Sequence, residues 1–467
     1  MRTRLSEALL FLSSVIHCSG VSMQQNACTE GDSKDCFTAD GSKFGAALRS
    51  RFLLAEGFTN FNHGSFGSVP KVVSDAQHAY SMQCESRPDK WFRQDYFVCV
   101  DSARTMLAKY VNAPSVDDLV MVENASGAVN SVMRSMNWQE GGVILYLSSA
   151  YAMVKHTAAW LASTSNNGIV QNIEISLGSD FPMAGEESVL TPLRDALIRY
   201  QGKIKLLVIS HITSVPAVTL PMKEILELAR SPQMLGGSAA YPVLVDGAHA
   251  LGQIHIDLQT MGDPDFYVSN AHKWLYAPKG SAFLYVRKDL QQPHFPEPTV
   301  ISSSGKQDFV GRYAYTGSRD YSPFCAVVDA FKFRQALGEE QLTSYVTGLA
   351  RWAGTYLAQK WDTQVLCPSH MQAFMFNVQL PTNSTAVAAA LQQRLDVDYD
   401  TYIVVLPLGS LIYARLSAQV YLERSDFIRL GDLVLELLTK MPADIESSSA
   451  SFIHAPHPVT ITGTTSS

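Results

Sequence analysis

The chain has 467 residues, 36 basic and 43 acidic side chains and a formal net charge of −7, a length that allows about two to four domains. Hydrophobic residues at 46% and charged residues at 17% exclude a wholly disordered chain. The mild acidity argues against a dedicated nucleic-acid binder, and no run of about 20 apolar residues beyond the N-terminus predicts an internal membrane span.

The chain opens on Met1-Arg2-Thr3-Arg4, an apolar run Ala8–Ile16 and small residues at Cys18-Ser19-Gly20. This pattern predicts a secretory leader over residues 1–20 and a protein of the secretory pathway or the cell exterior. The alternatives are an import leader for another organelle, or a cytoplasmic protein with a misassigned start. Residues 21–42 read as a loose polar segment in which Cys28 and Cys36 either pair or stay free. The seven cysteines are too sparse for a disulfide scaffold. Asn383-Ser384-Thr385 is a glycosylation sequon that matters only on the secretory route.

Short runs rich in Val, Ile and Leu then alternate with helical segments. Leu119–Val122, Val143–Leu147, Ile204–Ser210, Val243–Val245, Phe266–Val268 and Ala282–Val286 predict strands, apolar on both faces. Ala125–Met136 and Pro221–Arg230 predict covering helices. This is the signature of a mostly parallel sheet between helices, hence an α/β fold. The large domain is expected over 43–306, N-terminal arm included. A smaller α+β domain is expected over 307–445, and a loose Ser/Thr-rich tail over 446–467.

Chemistry concentrates in three places. Ser269-Asn270-Ala271-His272-Lys273-Trp274 sets a lysine in a polar turn directly after a strand. Val243-Leu244-Val245-Asp246-Gly247-Ala248-His249 ends a buried strand on a carboxylate, 27 residues ahead of Lys273. A buried carboxylate wants a cationic partner. Glu123-Asn124-Ala125-Ser126-Gly127-Ala128 joins a strand to a helix; Asn124 is a good N-cap, and the N–H groups of Ala125, Ser126 and Gly127 offer a phosphate site. Pyridoxal phosphate takes all three: a lysine to bond to, a carboxylate for its ring nitrogen and an anion cradle.

With those residues in place the chain resembles the class V aminotransferase family of fold-type-I pyridoxal-phosphate enzymes, in the branch of isopenicillin-N-epimerase-like proteins. The likeness spans roughly Phe44 to Leu438. It implies that Lys273 is the catalytic lysine, and that Asp246, His249, Asn270 and His272 hold the cofactor. It sets Tyr151 against the ring, with Thr213 or Ser214 near the ring oxygen; Thr213 is the residue assigned here. It implies that Thr316 and Gly317 reach the phosphate of a neighbouring subunit, hence a homodimer with shared sites. Arg415 matches the arginine that binds the substrate carboxylate, and His63 falls at the mouth of the site, against the substrate. No metal ligand set is read.

The likeness is strongest to hercynylcysteine sulfoxide lyases, the C–S lyases of ergothioneine synthesis. It rests on Lys43-Phe44-Gly45 with Arg49 and Phe52, on Asn60-Phe61-Asn62-His63-Gly64-Ser65-Phe66-Gly67, and on Glu85-Ser86-Arg87-Pro88-Asp89-Lys90-Trp91-Phe92-Arg93. It implies β-elimination from an S-substituted cysteine sulfoxide, with Lys273 taking the α-proton and Tyr151 giving a proton to the leaving group. Trp91, Tyr313 and Tyr315 are candidates for an aromatic wall against a trimethylated ammonium. The alternative reaction is epimerisation or transamination of an amino acid. Cys325 reads as a thiol in a helix core; neither it nor Cys367 sits in the Ser/Gly-rich loop of a desulfurase nucleophile.

Overall fold

The computed structural model describes residues 36–165, 168–302 and 308–441. The expected leader, Cys28 and the tail beyond residue 441 lie outside them.

Seven strands form the main sheet: β1 (Leu119–Val122), β2 (Gly142–Leu147), β3 (Val170–Ile175), β4 (Ile204–Ser210), β5 (Val243–Asp246), β6 (Phe266–Asn270) and β7 (Ala282–Val286). Their spatial order is β1-β7-β6-β5-β4-β2-β3. The pairs β2–β3, β2–β4, β4–β5 and β5–β6 are parallel, and β7 runs antiparallel to both β6 and β1. Every residue of β1, β5, β6 and β7 is buried, which is why these strands read as continuous apolar runs. The six expected strands are all present. β3 was not expected: it lies at the sheet edge and carries exposed Gln171 and Glu174, so no apolar run marks it. Helices Ala125–Ser135 and Met222–Arg230 are within one residue of expectation.

A second sheet is antiparallel, with strands β8 (Met375–Gln379), β9 (Val404–Leu408) and β10 (Leu411–Ser417) in the order β9-β10-β8. Helices Glu339–Trp361, Thr385–Tyr399 and Arg424–Thr439 accompany it. The N-terminal arm is stitched to this part. Thr59–Asn60 pairs in parallel with Thr401–Tyr402, and the Ser417 N–H donates to the Phe61 carbonyl at 2.7 Å. The turn Asn62–Gly67 is thereby held between β10 and the loop after β6.

Residues 36–42 are not loose. The Ala39 and Asp40 N–H groups donate to Leu337 and Ala336 carbonyls, each at 2.9 Å, and Asp40 pairs with Arg51 at 2.7 Å. Polar composition concealed this anchoring, which is made by backbone groups. Cys325 is not a free thiol either. It is bonded to Cys99, with a Cα–Cα separation of 5.0 Å, within the usual range for a disulfide. Sequence distance hid the pair: 226 residues separate the two. No described helix is long and apolar enough to cross a membrane.

Candidate active site

The carboxyl ends of β1, β4, β5 and β6 lie along one edge of the sheet, where ligands of open α/β sheets bind. A cavity of about 170 Å³ opens there. Its walls include Ala125 and Ser126 after β1, Ser210 and Ser214 at and after β4, Asp246 and His249 at and after β5, and Asn270, His272 and Lys273 around the end of β6. Ser65 and Phe66 of the N-terminal turn and Tyr151 after β2 also line it. The three sequence features that had no common geometry on paper therefore meet in one place.

The lysine Nζ lies 3.0 Å from His249 Nε2. Burial pushes the His249 imidazole well below its ordinary pKa, helped by the charges of Lys273 and Arg415, so the ring is neutral and its Nε2 accepts from the amine. Its proton then sits on Nδ1, a buried atom with no hydrogen-bond partner among the described residues. Burial, with Arg415 second, lowers Lys273 itself to about 7. Its amine is therefore largely uncharged just above neutral pH, as a proton acceptor must be. Asp246 is 4% exposed. One of its oxygens accepts from the Ala248 N–H at 3.0 Å. Burial raises its pKa against the opposing pull of that bond and of Lys273.

The helix Ala125–Ser135 starts at Asn124, whose side chain accepts from the Gly127 N–H at 2.8 Å. Asn270 Oδ1 accepts from the Ala125 N–H at 2.9 Å. The Ser126 N–H has no such partner among the described residues and lies at the cavity wall. His272 Nδ1 donates to the Ser281 carbonyl at 3.1 Å, and burial lowers its pKa to about 4, so His272 is neutral too.

These residues fit pyridoxal phosphate. The observation that decides it is the orphaned, buried His249 Nδ1 beside a lysine and a carboxylate, since buried polar atoms are otherwise satisfied. Asp246 would face the ring nitrogen; Ser126, Asn270 and His272 would hold the phosphate.

Several expected residues lie elsewhere. His63 does not face the substrate; it is fully buried, with both ring nitrogens bonded to protein. Thr213 is buried and its hydroxyl is spent on the Pro216 carbonyl, so of the two candidates Ser214 lines the cavity. Gly127 offers no free N–H, because its cap takes it. Thr316 lines a neighbouring cavity with Glu123 and Arg319, and the Thr316 N–H donates to Tyr321 at 3.0 Å. Tyr321 in turn donates to the Gly317 carbonyl at 2.8 Å. Within one chain neither Thr316 nor Gly317 reaches Lys273's cavity. Trp91 and Tyr313 are core residues; the rings at the cavity are Phe66 and Tyr151, 72% and 51% exposed.

Arg415, on β10, is buried and already held. Its guanidinium donates to Ser214 O at 2.8 Å and to Asn62 Oδ1 and Ser65 Oγ at 2.6 Å each, and its Nε has no partner among the described residues. Sequence reading missed Asn62 and Ser65 in this role. The Asn62–Gly67 motif was visible, but nothing in it told which polar side chain turns toward the arginine.

The profile of the family described as aminotransferase class V matches residues 60–398. The chain is 30% identical over 443 residues to the L-cysteine desulfhydrase-like protein lolT2 of Epichloe uncinata, covering 83% of this chain and 92% of that protein. It is 25% identical to the hercynylcysteine sulfoxide lyase of Schizosaccharomyces pombe, over 85% of this chain and 98% of the lyase. Among solved structures it resembles the cystine C–S lyase C-DES in complex with cysteine persulfide, with a TM-score of 0.66 and 19% identity over 82% of this chain and 98% of that one.

Proposed function

The chain belongs to the class V aminotransferase family, and from that premise we propose that it is a C–S lyase that splits an S-substituted cysteine sulfoxide by β-elimination. Its cofactor is pyridoxal 5′-phosphate. When bound, that group withdraws electrons from the substrate's α-carbon and makes the α-proton acidic.

The observation that carries the reading is the uncharged-prone Lys273 amine, 3.0 Å from neutral His249, in a cavity that also presents the Tyr151 ring. Lys273 takes the α-proton. The Cβ–S bond breaks with its electron pair going to sulfur, and Tyr151 donates the proton that the departing sulfenate needs. Addition of water to the remaining three-carbon unit gives pyruvate and ammonia. Arg415 binds the substrate carboxylate in exchange for contacts with Asn62, Ser65 and Ser214. Phe66 and Tyr151 offer π-faces to a trimethylated ammonium, which favours hercynylcysteine sulfoxide as substrate and a place in ergothioneine synthesis. The similarity to the fission-yeast lyase supports this choice.

The assay is release of pyruvate from hercynylcysteine sulfoxide and from cysteine, side by side. Preference for the sulfoxide is expected. Preference for cysteine with sulfide release would move the substrate to that of a desulfhydrase, and inversion of the α-centre without pyruvate would make the protein an epimerase.

The same proposal extends to assembly and location. Thr316 and Gly317 serve the phosphate of a partner copy in a homodimer. The leader sends the chain into the secretory pathway. The Cys99–Cys325 bond and the exposed Asn383 of the sequon support that route, because disulfides persist in oxidising compartments.

A further inference from the structure

Lys273 sits in a helix of only four residues, Ala271–Trp274. Carbonyls at the end of such a helix have no helical donor. The N–H that would serve Lys273, that of Ala277, instead donates to the Ala271 carbonyl at 3.2 Å. His63 fills the gap: its Nε2 is 2.9 Å from the Lys273 carbonyl oxygen.

The chemistry fixes the tautomer. A carbonyl only accepts, so Nε2 carries the proton and Nδ1 must accept. The Tyr421 hydroxyl, 3.0 Å from Nδ1, supplies the donor, and the Asn60 amide donates to the Tyr421 oxygen at 3.4 Å. His63 has no exposed surface, and burial lowers its pKa to about 3, so it stays neutral through the physiological range. The ring is wedged against Trp274, Tyr276 and Tyr421 at centroid separations of 4.9, 5.8 and 6.0 Å. The same turn backs onto the lysine at Gly67, where an added Cβ would collide with the His272 carbonyl oxygen.

We propose that His63 is a positioning residue for Lys273: the neutral chain Asn60–Tyr421–His63 grips the lysine's backbone carbonyl and so sets where its amine stands. This rests on Lys273 being the cofactor lysine. It differs from a substrate contact, because His63 touches no cavity surface.

The test uses the full chain stripped of cofactor, in three variants. His63→Leu removes the bond, His63→Gln restores a donor of similar reach, and Tyr421→Phe removes only the hydroxyl that fixes the tautomer. Amide hydrogen exchange is read over residues 271–277, then pyridoxal phosphate is added and growth of the visible band is timed. We expect exchange in this segment to rise about tenfold in the Leu variant, to rise less in the Phe variant and to stay near wild type in the Gln variant. Band growth should slow in the same order. Should the Leu variant fail to fold, the Phe and Gln variants carry the comparison. Unchanged exchange over 271–277 in the folded variants would overturn the proposal. Absence of any band in the wild type would instead overturn the cofactor reading, leaving the exchange result standing.

Discussion

Lys273 owes its low pKa to burial first and to Arg415 second, and the two causes separate experimentally. Reductive methylation of the cofactor-free chain should modify Lys273 with a midpoint near pH 7. The sign follows from the shift: the amine is protonated and unreactive below that pH, free and reactive above it. Arg415→Gln removes a neighbouring positive charge and should move the midpoint upward; a midpoint that stays put would deny the coupling. Asp246→Asn keeps the shape of the strand end but removes the charge that, in our proposal, would balance the protonated ring nitrogen of the bound cofactor. Turnover should fall about a hundredfold or more, read by steady-state kinetics. Tyr151→Phe should lower kcat for the sulfoxide while leaving the visible band in place; full turnover in that variant would remove Tyr151 from the mechanism.

At the scale of elements, the active site is the meeting of five strand ends, those of β1, β2, β4, β5 and β6, and one turn from the N-terminal arm. Gly67 in that turn has φ near 69° and no room for a side chain against His272. Gly67→Ala should destabilise the protein by about 3 kcal/mol, seen as a lower urea midpoint. Most of this architecture was legible. Buried parallel strands announce themselves as Val- and Ile-rich runs, and a carboxylate or lysine at the end of such a run stands out because apolar neighbours surround it. What stayed hidden depends on partners distant in sequence. Edge strand β3 has a polar face and so no run. His63 and Arg415 are 352 positions apart, and only folding shows that one turn serves both Lys273 and the arginine, with His63 facing inward and Ser65 facing the cavity. Gly127 was misread for a local reason, since the cap that starts the helix uses the N–H that a phosphate would take.

For the whole molecule, the Cys99–Cys325 bond joins helix Tyr96–Tyr110 to Ser322–Cys325, a few residues beyond the Thr316–Gly317 segment that we assign to a partner copy. Peptide mapping of protein secreted from eukaryotic cells should recover the cross-linked pair, and Cys325→Ser should cost about 2–4 kcal/mol; Cys99 and Cys325 alkylated without reduction, as the free Cys84 and Cys367 are, would contradict the secretory reading. Light scattering should give a dimer. The central claim remains that Lys273, Asp246 and His249 form a pyridoxal-phosphate site that eliminates sulfur from cysteine sulfoxides. The most direct measurement is the visible spectrum of the purified chain lacking residues 1–20, wild type beside Lys273→Ala, followed by pyruvate assay on S-substituted cysteine sulfoxides. The account predicts a band that Lys273→Ala abolishes, with pyruvate from the wild type alone. No band on adding the cofactor, or a band without pyruvate from any sulfoxide, would contradict it.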